Sequence, residues 1–292
     1  MTKRIIVCTP GSENIASRLT RGSGLRLHKA KVRQYPDGEI SVAIDSRVGK
    51  NSIVVASEKI CWEEIGRTLL ASKAALDLGG RVELFFPMMP YGRSDKAPAG
   101  EAAAAYLVAG LFSSLPIDAV SVIAPHSLPP LESFGCGVNA VEPLPNMAAA
   151  ALGVWRPDTI LSPDRGGIPR ALEVKNCLGV LQLSWIDKKR VSGGRVIARD
   201  FRGKIGKRVL IVDDIVSTGK TLALAALEAR RRGASEIRAL AVHGIFSGGA
   251  RSLIARSALK ELIVSDSVLP KAGGKIKTMA ILEDVGKLLY RR

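Results

Sequence analysis

The sequence predicts an α/β protein with two doubly wound domains on mostly parallel sheets. Short apolar, β-branched runs such as Val82–Phe86 and Val209–Val212 are typical of strands buried on both faces of a parallel sheet. Segments with a helical spacing of apolar residues, such as Glu63–Leu78, lie between such runs. The alternation continues through the 292 residues, which are enough for two domains, and it indicates right-handed βαβ units.

The first half of the chain begins with a predicted strand and ends in a proline-rich stretch, 125–145. Its predicted strands are Ile5–Thr9, Lys31–Tyr35, Ile40–Ile44, Ser52–Ser57, Val82–Phe86 and Ala119–Ala124. Its predicted helices are Asn14–Arg21, Glu63–Leu78 and Ala102–Phe112. Because prolines interrupt both helices and sheets, we place the domain boundary after residue 145.

The second half repeats this plan without a recognisable sequence repeat. Its predicted strands are Thr159–Ser162, Val180–Ile186, Val196–Arg199, Val209–Val212, Ile237–His243 and Glu261–Val264. Its predicted helices are Ile168–Cys177, Thr218–Arg232 and Gly248–Ala255. Parallel sheets bind ligands beyond the carboxyl ends of their strands, so the stretches directly after predicted strands are the candidate sites.

Composition narrows the function classes. The formal net charge is +16, but the basic residues are spread along the chain without interleaved aromatics, so we expect no nucleic-acid partner. The four cysteines form no CxxC pair, which argues for a reducing compartment, here the cytoplasm. No apolar run reaches transmembrane length, and the N-terminus leads directly into a strand, so we expect neither a membrane partner nor a signal peptide.

The most informative stretch follows the predicted strand Val209–Val212. Asp213 and Asp214 stand where that strand should end, and a small, hydroxyl-rich turn leads directly into a helix. The backbone N–H groups and the dipole at a helix start favour an anion such as phosphate. Carboxylates repel phosphate, so the acid pair is interpreted as acceptors for sugar hydroxyls or as ligands of a metal that accompanies a phosphate. A ligand with both a phosphate and a vicinal diol is therefore expected.

This stretch has two other interpretations. Gly219-Lys220-Thr221 resembles the end of a P-loop, but a P-loop requires glycine where this chain has Asp214, so that motif is excluded. An ordinary capped turn is the plain alternative. A cap, however, requires neither two adjacent acids nor four small or hydroxyl residues.

A second strand–turn–helix spans Ser162–Arg170. Its two glycines, Gly166 and Gly167, would let backbone N–H groups approach a polyphosphate, and Asp164 could hold magnesium.

Two further candidate stretches lie in the first half of the chain. The composition of Tyr35–Glu39 is that of a turn, and a plain hairpin turn explains it about equally well. The loop Phe86–Lys96 carries Arg, Asp and Lys, which could place cations on a triphosphate.

A basic stretch, Asp187–Arg190, also follows a predicted strand. If the chain stays extended, Lys188 and Arg190 share one face, where two cations would suit the transition state of phosphoryl transfer. A solvated basic turn is the alternative. The small residues Ser192–Gly194 behind the pair predict a mobile loop that closes on substrate.

As an ordered set, these motifs resemble those of the ribose-phosphate pyrophosphokinase family, also called phosphoribosyl pyrophosphate (PRPP) synthetases. In this chain they read Y-P-D-G-E, P-Y-G-R-S-D-K, S-P-D-R-G-G-I-P-R, D-K-K-R and D-D-I-V-S-T-G-K-T. The last motif also resembles type I phosphoribosyltransferases, whereas ordinary members of that group have neither of the first two. The segment Pro98–Glu101 is most similar to archaeal-type synthetases.

The resemblance implies transfer of diphosphate from ATP to ribose 5-phosphate, with Mg²⁺ as cofactor and with PRPP and AMP as products. It implies two domains of the type I phosphoribosyltransferase kind, 1–145 with the ATP-side motifs and 146–278 with the ribose 5-phosphate and pyrophosphate loops. A C-terminal segment, 279–292, would pack back onto the first domain. The family also implies a homodimer or larger homo-oligomer with ATP sites at subunit interfaces.

The implied site residues fall into four groups. The catalytic cations are Lys188 and Arg190. The residues implied for ATP are Asp37, Glu39, Arg93, Asp95 and Lys96. Those implied for ribose 5-phosphate and pyrophosphate are Asp213, Asp214, Ser217, Thr218, Gly219, Thr221, Gly166 and Gly167. Those implied for magnesium are His126 and Asp164.

Four features depart from the family pattern. Ala124 stands where the family has the Asp of a D-x-H metal motif, and Leu128–Leu131 replaces the Gln-rich stretch that normally follows. Ser94 replaces the usual Gln, and Lys220 stands where many members have Gly. We therefore expect magnesium binding that is weaker or more dependent on substrate. Two other functions stay open: a phosphoribosyltransferase that consumes PRPP, and a non-catalytic regulatory homologue.

Overall fold

The computed structural model describes residues 4–46, 48, 51–56, 59, 61–190 and 196–291. The chain forms two compact units. Unit 1 contains Met1–Val141 and Ile281–Arg292, and unit 2 contains Glu142–Ala280. The division between them falls a little before the boundary expected after residue 145.

Unit 1 is built on a parallel sheet. Its strands are β1 (Ile5–Cys8), β2 (Arg26–Lys29), β5 (Asn51–Val55), β6 (Arg81–Phe86), β7 (Ala119–Ile123) and β8 (Gly137–Val141), with a separate antiparallel hairpin of β3 (Lys31–Gln34) and β4 (Ile40–Ala43). Its helices are α1 (Glu13–Thr20), α2 (Trp62–Asp77), α3 (Ala104–Ser113), α4 (Pro129–Glu132) and, from the C-terminus, α9 (Leu282–Tyr290). Among the described residues the sheet order is β2-β1-β5-β6-β7-β8.

Two strands of this sheet, β2 and β8, were not predicted. Both lie at sheet edges, where strands are short and often polar. The strand β2 reads Arg-Leu-His-Lys, and β8 begins with glycine inside the proline-rich stretch interpreted as a boundary. Neither therefore shows the apolar run that marks a central strand.

The helix α9 packs against α1. A Cβ atom on Gly286 would lie 1.9 Å from the carbonyl oxygen of Leu19, so only glycine permits this close approach. At the other end of the helix, the Arg4 guanidinium donates to the carbonyl oxygen of Leu289 at 2.6 Å. These contacts make the C-terminal helix part of unit 1.

Unit 2 is built on a mixed sheet. Its strands are β9 (Thr159–Ser162), β10 (Gln182–Arg190), β11 (Val196–Arg202), β12 (Arg208–Val216), β13 (Glu236–Gly244), β14 (Glu261–Ser265) and β15 (Ile276–Met279). Its helices are α5 (Leu144–Ala151), α6 (Ile168–Leu178), α7 (Lys220–Arg231) and α8 (Ala250–Arg256). In the described part of the chain the order is β11-β10-β9-β12-β13-β14-β15, and only the β10–β11 pair is antiparallel.

The core of unit 2 explains the position of its loops. Val209, Leu210, Ile211 and Val212 are at most 1% exposed, as expected for a central strand covered on both faces. The strand β12 pairs with β9 only up to Ile211 but with β13 up to Val216. The predicted end of this strand at Val212 was therefore wrong, because pairing with β13 carries it four residues further.

The predicted α/β class with mostly parallel sheets is confirmed. None of the described helices is long and apolar enough to cross a membrane.

Candidate active site

In unit 2, the turn Ser217–Gly219 joins β12 to α7. Gly219 has a φ of 74°, in the left-handed region, and a Cβ atom there would lie 3.3 Å from the nearest side chain. The helix therefore begins at Lys220, not at Thr218 as predicted. The turn lies directly before the backbone N–H groups of a helix start, with Thr221 in the first helical turn.

The acid pair lies inside β12, just before this turn. Asp213 Oδ1 accepts the N–H of Asp214 at 3.0 Å, and Asp214 Oδ1 accepts the N–H of Ile215 at 2.9 Å. Asp214 is only 4% exposed, whereas Asp213 keeps partial exposure. Burial, and then the charge of Asp214, raise the pKa of Asp213 well above its ordinary value. The pair is thus a constrained set of acceptors at the end of a strand.

The second loop joins β9 to α6, on the strand next to β12. The Asp164 carboxylate accepts the N–H of Gly167 at 3.1 Å, and the Ser162 hydroxyl donates to the carbonyl oxygen of Asp164 at 2.7 Å. A Cβ atom on Gly167 would lie 2.6 Å from the Ser162 oxygen, so the tight turn requires glycine at this position. Gly166 is exposed at the outside of the turn.

The side chain of Arg170 links the two loops. It comes from the first turn of α6, and its Nη2 lies 3.3 Å from Asp214 Oδ2. Its Nε lies 3.8 Å from Glu142 Oε2. Only 15% of the Arg170 side chain is exposed. The predicted diphosphate-type and ribose-type loops are therefore neighbours in the fold.

Glu142 was missed by the sequence analysis. It directly follows β8, which was itself not predicted, so the rule that sites follow strand ends could not identify it. Its Oε1 accepts the N–H of Leu144 at 3.3 Å. Burial raises its pKa to about 7, against the lowering effects of that hydrogen bond and of Arg170.

Ser247 was also missed. Its hydroxyl lies 2.9 Å from the hydroxyl of Ser217, and its N–H donates to the carbonyl oxygen of Ser217 at 3.0 Å. It follows β13, which was predicted, so the strand-end rule could have identified it.

The predicted catalytic pair lies at the end of β10, which runs through Arg190 and pairs with β11. The register shifts between Lys189 and Arg190, so simple two-residue alternation is interrupted between the two cations. The expected extended backbone is observed. The side chains of Lys188 and Arg190, and the loop expected at Ser192–Gly194, lie outside the described residues.

In unit 1, the first motif forms the hairpin turn between β3 and β4. The N–H of Tyr35 donates to the carbonyl oxygen of Glu39 at 2.8 Å, and the N–H of Glu39 donates to the carboxylate of Asp37 at 3.1 Å. The side chains of Asp37 and Glu39 are exposed. The turn is thus closed by its own hydrogen bonds, and its two acids point away from the core.

The second motif forms the loop between β6 and α3. Ser94 shapes its end, because its hydroxyl accepts the N–H of Ala104 at 3.2 Å at the start of α3. The side chains of Arg93 and Lys96 are exposed, and Asp95 is partly buried. The loop therefore presents two cations to solvent.

Comparison with known proteins decides the family. Residues 148–258 match the phosphoribosyl transferase domain, and residues 5–115 match the N-terminal domain of ribose phosphate pyrophosphokinase. A protein of Streptococcus agalactiae, provisionally named ribose-phosphate pyrophosphokinase 2, is 31% identical over 89% of this chain and 82% of its own length. The chain belongs to the ribose-phosphate pyrophosphokinase family.

Further similarity extends over nearly the whole chain. The ribose-phosphate pyrophosphokinase of Sulfolobus acidocaldarius is 29% identical over 97% of this chain and 99% of its own length. The crystal structure of phosphoribosylpyrophosphate synthetase from Mycobacterium smegmatis has a TM-score of 0.88, at 22% identity, and covers 99% of this chain and 98% of that one. The predicted family and type I phosphoribosyltransferase fold are confirmed. Closeness to archaeal-type members is only loosely supported, since the streptococcal protein is at least as similar.

Ala124 stands where the family resemblance implies the Asp of a D-x-H metal motif. Ala124 follows β7 with a φ of 38°, a left-handed conformation that Asp and Asn adopt more readily than Ala. Its N–H donates to the carbonyl oxygen of Val141 at 2.8 Å, and its side chain is buried. His126, two residues later, is exposed. The backbone here thus has a conformation suited to the family's Asp, without that carboxylate.

Proposed function

We propose that this chain is a ribose-phosphate diphosphokinase. The anomeric hydroxyl oxygen of ribose 5-phosphate forms a bond to the β-phosphorus of ATP, and the bond between that phosphorus and the α–β bridging oxygen breaks. AMP leaves with that oxygen, the hydroxyl proton is released, and PRPP is the second product. The observation that carries the proposal is the 3.3 Å contact between Arg170 and Asp214, which couples a diphosphate-type loop to a ribose-type loop on neighbouring strands.

The ribose 5-phosphate side belongs to unit 2. Asp213 and Asp214 accept hydrogen bonds from the ribose diol, because carboxylate oxygens accept such bonds strongly. The 5-phosphate occupies the helix start, where backbone N–H groups and the hydroxyls of the turn donate to it. The residues assigned to the phosphate are Ser217, Thr218, Gly219 and Thr221. Gly166 and Gly167 lie in the turn assigned to the transferred diphosphate.

The ATP side belongs to unit 1. Arg93 and Lys96 are exposed cations on one loop, and they neutralise the triphosphate. Asp37, Glu39 and Asp95 complete the assigned set, with the acids of the hairpin turn as acceptors for donors on the nucleotide.

Lys188 and Arg190 act in the transition state. Phosphoryl transfer requires mainly positioning and the neutralisation of charge that spreads over the phosphate oxygens. Two cations at the end of β10, on the strand beside the diphosphate loop, are suited to that task.

Magnesium is the assigned cofactor. In unit 2 its assigned protein contact is Asp164, and in unit 1 a separate contact is assigned to His126. Within the described residues, no group of three or more His, Cys, Asp or Glu side chains could hold a metal ion. This donor set fits Mg²⁺ that arrives with substrate, since Mg²⁺ usually keeps several waters and binds through one or two carboxylates plus phosphates. When bound, it would neutralise phosphate charge. We further assign a cytoplasmic location and a homodimer or larger homo-oligomer, on the basis of the family.

The decisive experiment incubates the purified protein with ATP and ribose 5-phosphate and measures AMP and PRPP by chromatography. We expect equimolar AMP and PRPP that depend on both substrates and on Mg²⁺. A phosphoribosyltransferase would instead consume PRPP in the presence of a nucleobase and release no AMP from ATP. A regulatory homologue would bind nucleotide without turnover. Either result would overturn the proposal.

A further inference from the structure

The carboxylate of Asp214 is held from two sides. Its Oδ1 accepts a backbone N–H at 2.9 Å, and its Oδ2 lies 3.3 Å from the guanidinium of Arg170. Both side chains are shielded from solvent, with 5% of Asp214 and 15% of Arg170 exposed. Because this ion pair is largely buried, dissolved salt weakens the attraction between its two charges only a little.

Arg170 is in turn held by a second acid. Glu142 Oε2 lies 3.8 Å from its Nε, the nitrogen that shares an edge of the guanidinium with the Nη2 that contacts Asp214. Glu142 is itself fixed, because its other oxygen accepts the N–H of Leu144 at 3.3 Å. Two anchored carboxylates thus contact neighbouring nitrogens of one planar guanidinium. A lysine ammonium could supply the charge but not this fixed planar pair of donors.

We propose that Arg170 and Glu142 are positioning residues for ribose 5-phosphate: Glu142 fixes the guanidinium of Arg170, and Arg170 sets the carboxylate of Asp214 for the ribose hydroxyls. The inference rests on the assignment of Asp214 to the ribose diol. Arg170 also offsets part of the negative charge of Asp214, which lies beside Asp213. Without it, Asp214 loses the contact that holds Oδ2, and the orientation in which it accepts the diol is less well fixed.

A purely structural ion pair makes a different prediction. It would contribute to folding stability and leave ligand affinity unchanged. Unit 2 contains a matched example in Arg238, which is 18% exposed and lies 2.8 Å from Glu236 and 3.3 Å from Glu261. Arg238 is near the start of β13, whereas the site lies at the strand's other end, so it serves as the control.

The test measures binding of ribose 5-phosphate alone by calorimetry at pH 8, and separately ATP binding, turnover and thermal stability. Arg170→Lys should weaken ribose 5-phosphate binding about tenfold and Arg170→Met by more, with ATP affinity changed by less than about twofold. Glu142→Gln should weaken ribose 5-phosphate binding about threefold, since it leaves Arg170 in place but less constrained. Arg238→Lys should change only stability.

Three outcomes overturn the inference. One is that Arg170→Lys and Arg170→Met both keep wild-type affinity, as Arg238→Lys does, which would make Arg170 structural. Another is that Arg170→Lys keeps wild-type affinity while Arg170→Met abolishes binding, which would mean that charge alone matters. The third is equal loss of ATP and ribose 5-phosphate binding. AMP release by the wild-type protein is scored separately, so failure of the diphosphokinase assignment is recognised independently of these affinities.

Discussion

The two units hold their candidate site residues in different ways. In unit 2, Arg170 and Asp214 belong to contacts that join separate loops, and the protein covers both side chains. In unit 1, the hydrogen bonds of the Asp37–Glu39 turn stay within that turn, and the cations Arg93 and Lys96 are exposed. The proposed ribose 5-phosphate site is therefore preorganised. The proposed nucleotide contacts must be ordered by the ligand, at about 0.5–1.5 kcal/mol for each immobilised side chain.

This difference predicts which property of the protein a substitution in each unit should change. A change in unit 2 should alter geometry and so affect one substrate selectively. A change at an exposed cation of unit 1 should alter charge and depend on salt, because solvent and ions screen exposed groups. The predictions that follow test this contrast, beginning with the largest expected effect.

The largest effect is expected at the catalytic pair on β10. Lys188→Ala and Arg190→Ala should each lower kcat by about 10²–10³, or roughly 3–4 kcal/mol, with little change in substrate affinity. Steady-state kinetics with both substrates varied measures this split. Arg202→Ala is the control, since Arg202 is an exposed cation on the paired strand β11 and contacts Asp187 and Asp200. Near-normal turnover of both variants would make the pair a solvated basic turn.

The next effect is expected at the acid pair. Asp213→Asn combined with Asp214→Asn should weaken ribose 5-phosphate binding about 10- to 100-fold, because two charge-assisted acceptors are lost. ATP binding should be nearly unchanged. Separate calorimetric titrations of the two ligands provide the measurement. Equal losses for both ligands would contradict the assignment of the diol to these acids and the selective action expected of unit 2.

The loops of the candidate site could be predicted from the sequence, and the features that could not be predicted have physical causes. The loops after Val212 and Ser162 were found because apolar strands and small-residue turns are local signals. The role of Glu142 was not found, because its raised pKa and its contact with Arg170 depend on burial by distant segments. The end of β12 was misjudged for the same reason, since pairing with β13 extends it through the two acids.

A third prediction concerns stability and pH. The pKa of Glu142 rises from an ordinary 4.5 to about 7, chiefly because of burial, so its ionised form destabilises the fold. The penalty is absent below pH 4.5, grows between pH 4.5 and 7, and is complete above pH 7, where it amounts to about 2–4 kcal/mol. Glu142→Gln should therefore raise the melting temperature relative to wild type progressively over this range.

The matched control for this prediction has the opposite sign. The pKa of Glu236 is lowered, first by its hydrogen bond with Lys260, so its ionised form stabilises the fold above its unfolded pKa. Glu236→Gln should lower the melting temperature at neutral pH and lose that effect as the pH falls. Thermal melts of Glu142→Gln between pH 4.5 and 8, and of Glu236→Gln from pH 8 down to about pH 3, provide the comparison. A pH-independent difference between wild type and Glu142→Gln would contradict the prediction. If Glu142→Gln is more stable than wild type but binds ribose 5-phosphate more weakly, the positioning role of Glu142 is distinguished from its effect on folding stability.

The smallest effect is expected in unit 1, at the altered metal motif. Ala124 has a left-handed φ of 38°, which Asp adopts more readily, and His126 follows two residues later. Ala124→Asp should therefore be accommodated by the backbone and should lower the magnesium concentration for half-maximal rate, by about three- to tenfold, since Mg²⁺ favours carboxylate oxygen. Ala124→Asn is the control, because it has the same shape and backbone preference without the charge.

Position 124 is buried, so the carboxylate of Ala124→Asp should also lower the melting temperature when Mg²⁺ is absent. Addition of Mg²⁺ should restore the melting temperature. If the Asp and Asn variants require the same magnesium as wild type, residue 124 does not face the metal, and the exposed contacts of unit 1 obtain their metal ligands elsewhere.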